Sequence, residues 1–141
     1  MIPEINYLAV IAATISTMIV GAIWYAPKVM GNTWIRLAGV TPGERYGMAR
    51  PMIATVIVSF ITSWVLAGAA YISYEFYRGS FLGAAVLTGF VLWAGFTAAR
   101  FVTHDAFEGR PIKLTILNCV HELITILVLS LVIGVWPPAL G

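Results

Sequence analysis

Four long apolar runs, at about residues 6–25, 51–72, 80–102 and 112–136, decide what this chain can become. Each holds about 20 residues or more, the length a helix rising roughly 1.5 Å per residue needs to cross a hydrocarbon layer of about 30 Å. Inside such a layer every backbone N–H and C=O has to be satisfied within the segment, so the runs read as helices. The expectation is an all-α, four-helix transmembrane bundle forming one domain over residues 1–141. Composition points the same way, with 60% hydrophobic and 10% charged residues and a mean hydropathy of +0.92, where soluble domains carry about a quarter charged residues. One connector of about 25 residues and two of about ten leave no room for a separate soluble domain.

The first run is expected to be retained as a helix. Glu4 stands where a signal peptide would be basic, and the bulky Trp24 and Tyr25 stand where cleavage would need small side chains. Cys119 is the single cysteine, inside the fourth run, which excludes an intrachain disulfide. Neither end carries a lipidation signature.

Charge placement gives an orientation. Lys28, Arg36, Arg45 and Arg50 follow the first run, and Arg100, Arg110 and Lys113 lie between the third and fourth, whereas the opposite side has Arg78. By the positive-inside rule both basic connectors face the cytoplasm and both termini lie outside. Bases scattered at helix ends among Glu44, Asp105 and Glu108 do not form a nucleic-acid surface.

The first helix presents Thr14, Thr17, Gly21 and Trp24 at helical spacing and ends at Trp24-Tyr25-Ala26-Pro27-Lys28. Trp24 and Tyr25 are expected to anchor it at the membrane margin, with Pro27 closing the helix. A short interfacial helix over about residues 29–37 follows, with Met30, the anchor Trp34 and Leu37 on one side and Asn32 and Arg36 on the other. Thr41-Pro42 is an N-cap and N1 pair, which predicts another turn of helix before Arg50-Pro51. In the second span Thr55, Ser59 and Thr62 form a hydroxyl stripe, and Ser63 and Ala67 offer small-residue contact. Ala85 with Gly89 does the same in the third. Thr97, Arg100 and His104 share one face at the end of the third span. Arg50-Pro51 before Thr55 is echoed by Arg110-Pro111 before Thr115, a pattern that two related helical hairpins would give.

The fourth run carries the groups least compatible with hydrocarbon. At about 100° per residue, Thr115, Asn118, Glu122 and Thr125 fall on one stripe with His121 at its flank, and Leu117, Val120, Leu123, Ile124 and Leu127 fall opposite. Counted from Ile112, Glu122 lies about 15 Å deep, near the middle of the core. A carboxylate there costs several kcal/mol unless it is protonated, paired or hydrated. Thr17, Ser59, Thr62, Thr97 and Arg100 are the candidate partners across helices, together with Thr14, although Arg100 differs from Glu122 in depth by roughly 12 Å.

Together Gly21, Trp24, Tyr25, Pro27, Gly31 and Trp34, then Leu92-Trp93-Ala94-Gly95-Phe96, then Phe107-Glu108-Gly109-Arg110-Pro111 with Lys113 and Asn118, resemble a family of small four-helix bacterial membrane proteins catalogued as a domain of unknown function. The likeness covers nearly the whole chain. It implies four transmembrane helices in the inner (plasma) membrane of a bacterium and carries no activity to transfer. Family members tend to have an aromatic and a His shortly after the Asn, whereas this chain has His121-Glu122.

Three functional readings stay open. The first is a helix-packing module that self-associates or joins a larger membrane complex, with a polar site around Glu122. The second is a proton- or cation-coupled transporter or channel subunit using Glu122 and His121. The third, least supported by the residues, is haem or pigment binding through a single His, since His104 and His121 lie too far apart in depth to share one ring. No phosphate loop, HExxH, nucleophile elbow or paired carboxylate is present, so no enzyme, catalytic residue, metal site or cofactor is expected.

Overall fold

The computed structural model describes residues 2–139 and contains no strand among them. Four helices are long and apolar enough to cross a membrane: α1 (Tyr7–Trp24), α3 (Ala49–Tyr77), the rod Phe81–Phe107, and α6 (Ile112–Val135). The rod has three parts, α4 (Phe81–Leu92), a wide π turn (Trp93–Ala98) and α5 (Ala99–Phe107). A second π turn, Pro27–Gly31, leads from α1 into the short α2 (Asn32–Ala38). Helices run past the expected spans, α3 to Tyr77 and the rod to Phe107, because hydrophobicity bounds the hydrocarbon-crossing part while the backbone ladder continues into polar residues. The helix expected after Thr41-Pro42 is absent. Gly43 and Gly47 take φ of 79° and 73° and turn the chain there, a left-handed backbone that breaks a helix.

Helix ends are fixed by their residues. The Asn6 side chain accepts from the Leu8 and Ala9 amides at 3.1 and 3.2 Å, capping α1. Its Nδ2 donates to the Trp136 carbonyl at 3.3 Å, which ties the start of α1 to the end of α6. The Ser80 hydroxyl accepts from the Gly83 amide at 3.0 Å and caps α4.

Around the bundle the order is α1, α3, α4, α6 and back to α1, each packed on its sequence neighbours. The core fills the half nearest the termini, where Val10, Ala13, Leu66, Ala67, Ala70, Phe81, Ala85, Leu129 and Ile133 form one cluster. Small residues set its tightness. A Cβ on Gly89 would collide with the Ser130 hydroxyl, and one on Gly134 would come within 2.7 Å of Leu82 Cδ1, so α4 and α6 touch nearly backbone to backbone.

In the opposite half, which carries the basic connectors, α5 and α6 bury Asp105, Leu114 and Thr115 but α3 stands uncovered. Every residue of α3 from Ala49 to Val58 is exposed, so no element covers any side of those turns. Along one face of α3, at seven-residue spacing, Ala70 and Ser63 are 0% exposed and Val56 is 44% exposed. Seven residues is two helical turns and returns to nearly the same side. The core-facing side of α3 therefore continues toward the basic end without a partner.

Candidate functional site around His121 and Glu122

On α6 the same periodicity isolates Glu122. Thr115 and Leu129, seven residues to either side, are 3% and 1% exposed, yet the Glu122 side chain is 39% exposed. The carboxylate stands on the bundle-facing side of α6 and is part-open there. Leu117, expected on the apolar side opposite the polar stripe, is buried with Leu114 and Thr115. The buried arc of α6 is thus broader than the stripe, because α1, α2, α4 and α5 all pack against it.

Two polar groups of the stripe, Thr115 and Asn118, bond to other elements. The Thr115 hydroxyl donates to Asp105 Oδ2 of α5 at 2.7 Å. Trp34 Nε1 of α2 donates to Asn118 Oδ1 at 3.1 Å. Trp93 Nε1, at the start of the rod's π turn, donates to the Cys119 carbonyl at 3.0 Å. The Thr125 hydroxyl turns back to the His121 carbonyl of its own helix at 2.9 Å. Thr17 and Thr14 likewise bond to the carbonyls of Thr14 and Val10 in α1, at 2.8 Å each.

His121 is largely enclosed by aromatic rings. Its ring lies between those of Tyr25 and Trp24, with centroids 4.9 and 5.8 Å away, and Tyr25 meets Trp34 edge-on at 5.8 Å. The three anchor residues therefore gather on α6, Tyr25 and Trp34 being brought together across the π turn Pro27–Gly31. Gly31 makes that turn possible: a Cβ there would run into the Tyr25 carbonyl. His121 Nδ1 is 3.4 Å from Glu122 Oε1, with the His side chain 11% exposed. Neither imidazole nitrogen makes a hydrogen bond, and neither does the buried Trp24 Nε1. An enclosed imidazole without hydrogen-bond partners is costly to keep. At 3.4 Å the neighbouring carboxylate lies just beyond the roughly 2.6–3.2 Å reach of a direct proton transfer, so a step between the two would need a small approach or a bridging water.

The other candidate partners are elsewhere. Ser59, Thr62 and Thr97 are half-buried and Arg100 is exposed. Among the described residues, none of these four or Thr17 makes a hydrogen bond or ion pair with Glu122. Nor does a third His, Cys, Asp or Glu join His121 and Glu122. With Tyr25 against His121, α1 ends level with this site, and residues 112–120 of α6 extend beyond it, flanked by α2.

Sequence reasoning missed Asp105 and Trp93. Asp105 is 5% exposed and also faces Arg110, whose Nε is 3.8 Å from Oδ1. The available signal was the four-residue spacing of Trp93, Thr97, Phe101 and Asp105, which are the half-buried and buried positions of the rod's basic half.

No curated protein and no solved structure matches this chain. A family described as "Protein of unknown function (DUF1761)" matches residues 8–134, most of its length. The chain, with four helices able to span a membrane, belongs to that family.

Proposed function

We propose that this protein is a packing subunit of a membrane assembly, and that its basic half receives a helix from a second copy. In this reading it crosses the plasma membrane four times, with α2 along the cytoplasmic surface and both termini outside. One observation carries it: the core-facing line Ala70–Ser63–Val56 on α3 loses its cover at Val56, and on α6 Glu122 is part-open between the buried Leu129 and Thr115. In hydrocarbon an uncovered apolar stripe is unremarked, but a part-open carboxylate is costly, and a neighbouring helix with a donor relieves it. The position of Glu122 level with Trp24 and Tyr25 supports a site near the cytoplasmic margin, where such a group is easier to hold than at mid-bilayer.

The test is cross-linking in lipid. In a Cys119→Ser background, Val56→Cys protein in vesicles should form a covalent dimer on oxidation, while Ile15→Cys, on the exposed side of α1, should not. Photo-cross-linkers at Val56 that capture lipid alone, in vesicles and in native membranes, would refute the reading. A larger heteromeric complex is the outcome if native membranes alone give protein adducts.

A second reading, proton or cation coupling, is favoured by the unpartnered His121 nitrogens beside Glu122. Val10, Leu66, Leu129 and Ile133 seal the half nearest the termini. A conducting path would therefore run between protomers. Proton flux in proteoliposomes that is abolished by Glu122→Gln with association intact would establish it; equal background flux in both proteins would dismiss it.

A further inference from the structure

The connector between α2 and α3 builds a second feature, remote in sequence from His121. Gly43 and Gly47 bend it through successive turns, with the Gly47 amide donating to the Gly43 carbonyl at 2.8 Å. The bend is tight enough that a Cβ on Gly43 would lie 2.9 Å from the side chain of Met48. It brings two cations to Tyr46. The guanidinium carbons of Arg45 and Arg50 lie 5.4 and 5.6 Å from the centroid of the Tyr46 ring. They are consequently no more than about 11 Å apart, close enough for both to act on one headgroup-sized anion. An open cavity of about 510 Å³ lies beside them, walled by Thr41, Arg45, Tyr46, Arg50 and Pro51.

Among the described residues neither guanidinium is paired with a carboxylate, although Glu44 is adjacent to Arg45 in the chain. Two like charges near one aromatic ring repel each other even as each is attracted to the ring. An anion in the cavity removes the repulsion, and guanidinium geometry suits phosphate oxygens in particular. We infer that this cavity binds a phosphate group, and that its place beside the first turn of a membrane-spanning helix makes an anionic phospholipid the ligand. Arg50 lies in that first turn, and Pro51 and Ala54 of the same helix line the cavity. A basic pocket at a helix end on the cytoplasmic side is the kind of site that takes phospholipid headgroups.

The experiment uses the full chain in nanodiscs of phosphatidylcholine doped with phosphatidylglycerol, with retained lipid read by native mass spectrometry. The wild-type protein should retain phosphatidylglycerol preferentially, and Arg45→Gln/Arg50→Gln should lower that preference by about thirtyfold, taking roughly fivefold for each basic side chain at an anionic surface. Lys28→Gln/Arg36→Gln removes the same charge from the same connector outside the cavity and should cost far less. Tyr46→Leu keeps both charges but frees them from the ring, and should give an intermediate loss. In neutral nanodiscs, inorganic phosphate that raises the Tm of wild-type protein but not of Arg45→Gln/Arg50→Gln would support the phosphate site with a soluble ligand as its source. Equal losses in the two double variants, or no lipid preference together with no effect of phosphate, would overturn the proposal.

Discussion

Replacing Thr115 by Val tests whether the basic end of the α5–α6 hairpin is held by the contact the structure shows. The Thr115 hydroxyl donates to Asp105 at 2.7 Å, with both residues buried. Hydrogen bonds to charged groups are worth about 1.5–3 kcal/mol, toward the upper end where the charge is enclosed. Arg110 adds less: its Nε is 3.8 Å from Asp105, its side chain is half exposed, and it also pairs with Glu108 at 2.5 Å. An ion pair of that kind contributes under about 1 kcal/mol. Thr115→Val should therefore destabilise the protein by about 1.5–3 kcal/mol. Asp105→Ala should cost about as much, since it leaves a buried hydroxyl unpaired. The double variant should cost less than the sum of the two, with a coupling of about 1–2 kcal/mol. Unfolding by sodium dodecyl sulfate in mixed micelles measures all three. A Thr115→Val protein within about 0.5 kcal/mol of wild type, or strictly additive losses, would refute the reasoning.

Two further substitutions test close approaches. Gly89→Ala drives a methyl group into the Ser130 hydroxyl, with Ile126 Cγ1 at 3.4 Å leaving little room to yield. It should cost about 1–3 kcal/mol by overpacking. Ser130→Ala, which removes a hydroxyl bonded only to the Ile126 carbonyl of its own helix, should restore most of that loss in the double variant, as a thermal melt in detergent would show. Gly31→Ala places a methyl group against the Tyr25 carbonyl, a backbone atom that cannot swing aside. A loss of about 1–3 kcal/mol is expected. Trp34 fluorescence should shift toward that of solvated indole as its bond to Asn118 is broken, judged against a Trp34→Phe control.

The sequence made the helices legible because spanning length and apolar character are local properties. The small residues Ala85, Gly89, Ser63 and Ala67 are all buried, as their spacing leads one to expect, whereas the caps Asn6 and Ser80 went unread and the one cap read from the sequence, Thr41, starts no helix. The diagonal placement of α3 against α6, and of α1 against α4, is what two related hairpins require. Their corresponding threonines nevertheless part company, since Thr55 bonds to Pro51 of its own helix and Thr115 to Asp105. What stayed hidden depends on register and on contacts distant in sequence. Asp105 beside Glu108 and Arg110 resembles an ordinary loop charge until α5 is laid on α6. The two π turns each rest on an altered run of backbone hydrogen bonds, which side-chain periodicity does not record. The level of Glu122 is likewise set by α1 packing on α6, from Asn6 at Trp136 to Tyr25 at His121.

Association in bilayers at graded dilution, followed by energy transfer between labelled copies, tests the central claim that another helix covers Glu122. Wild-type protein should associate reversibly, and Glu122→Leu should weaken that association by about threefold to fifteenfold, the range expected for one intramembrane hydrogen bond. Wild-type protein that stays monomeric at every dilution, or a Glu122→Leu variant that associates as tightly as wild type, would contradict it.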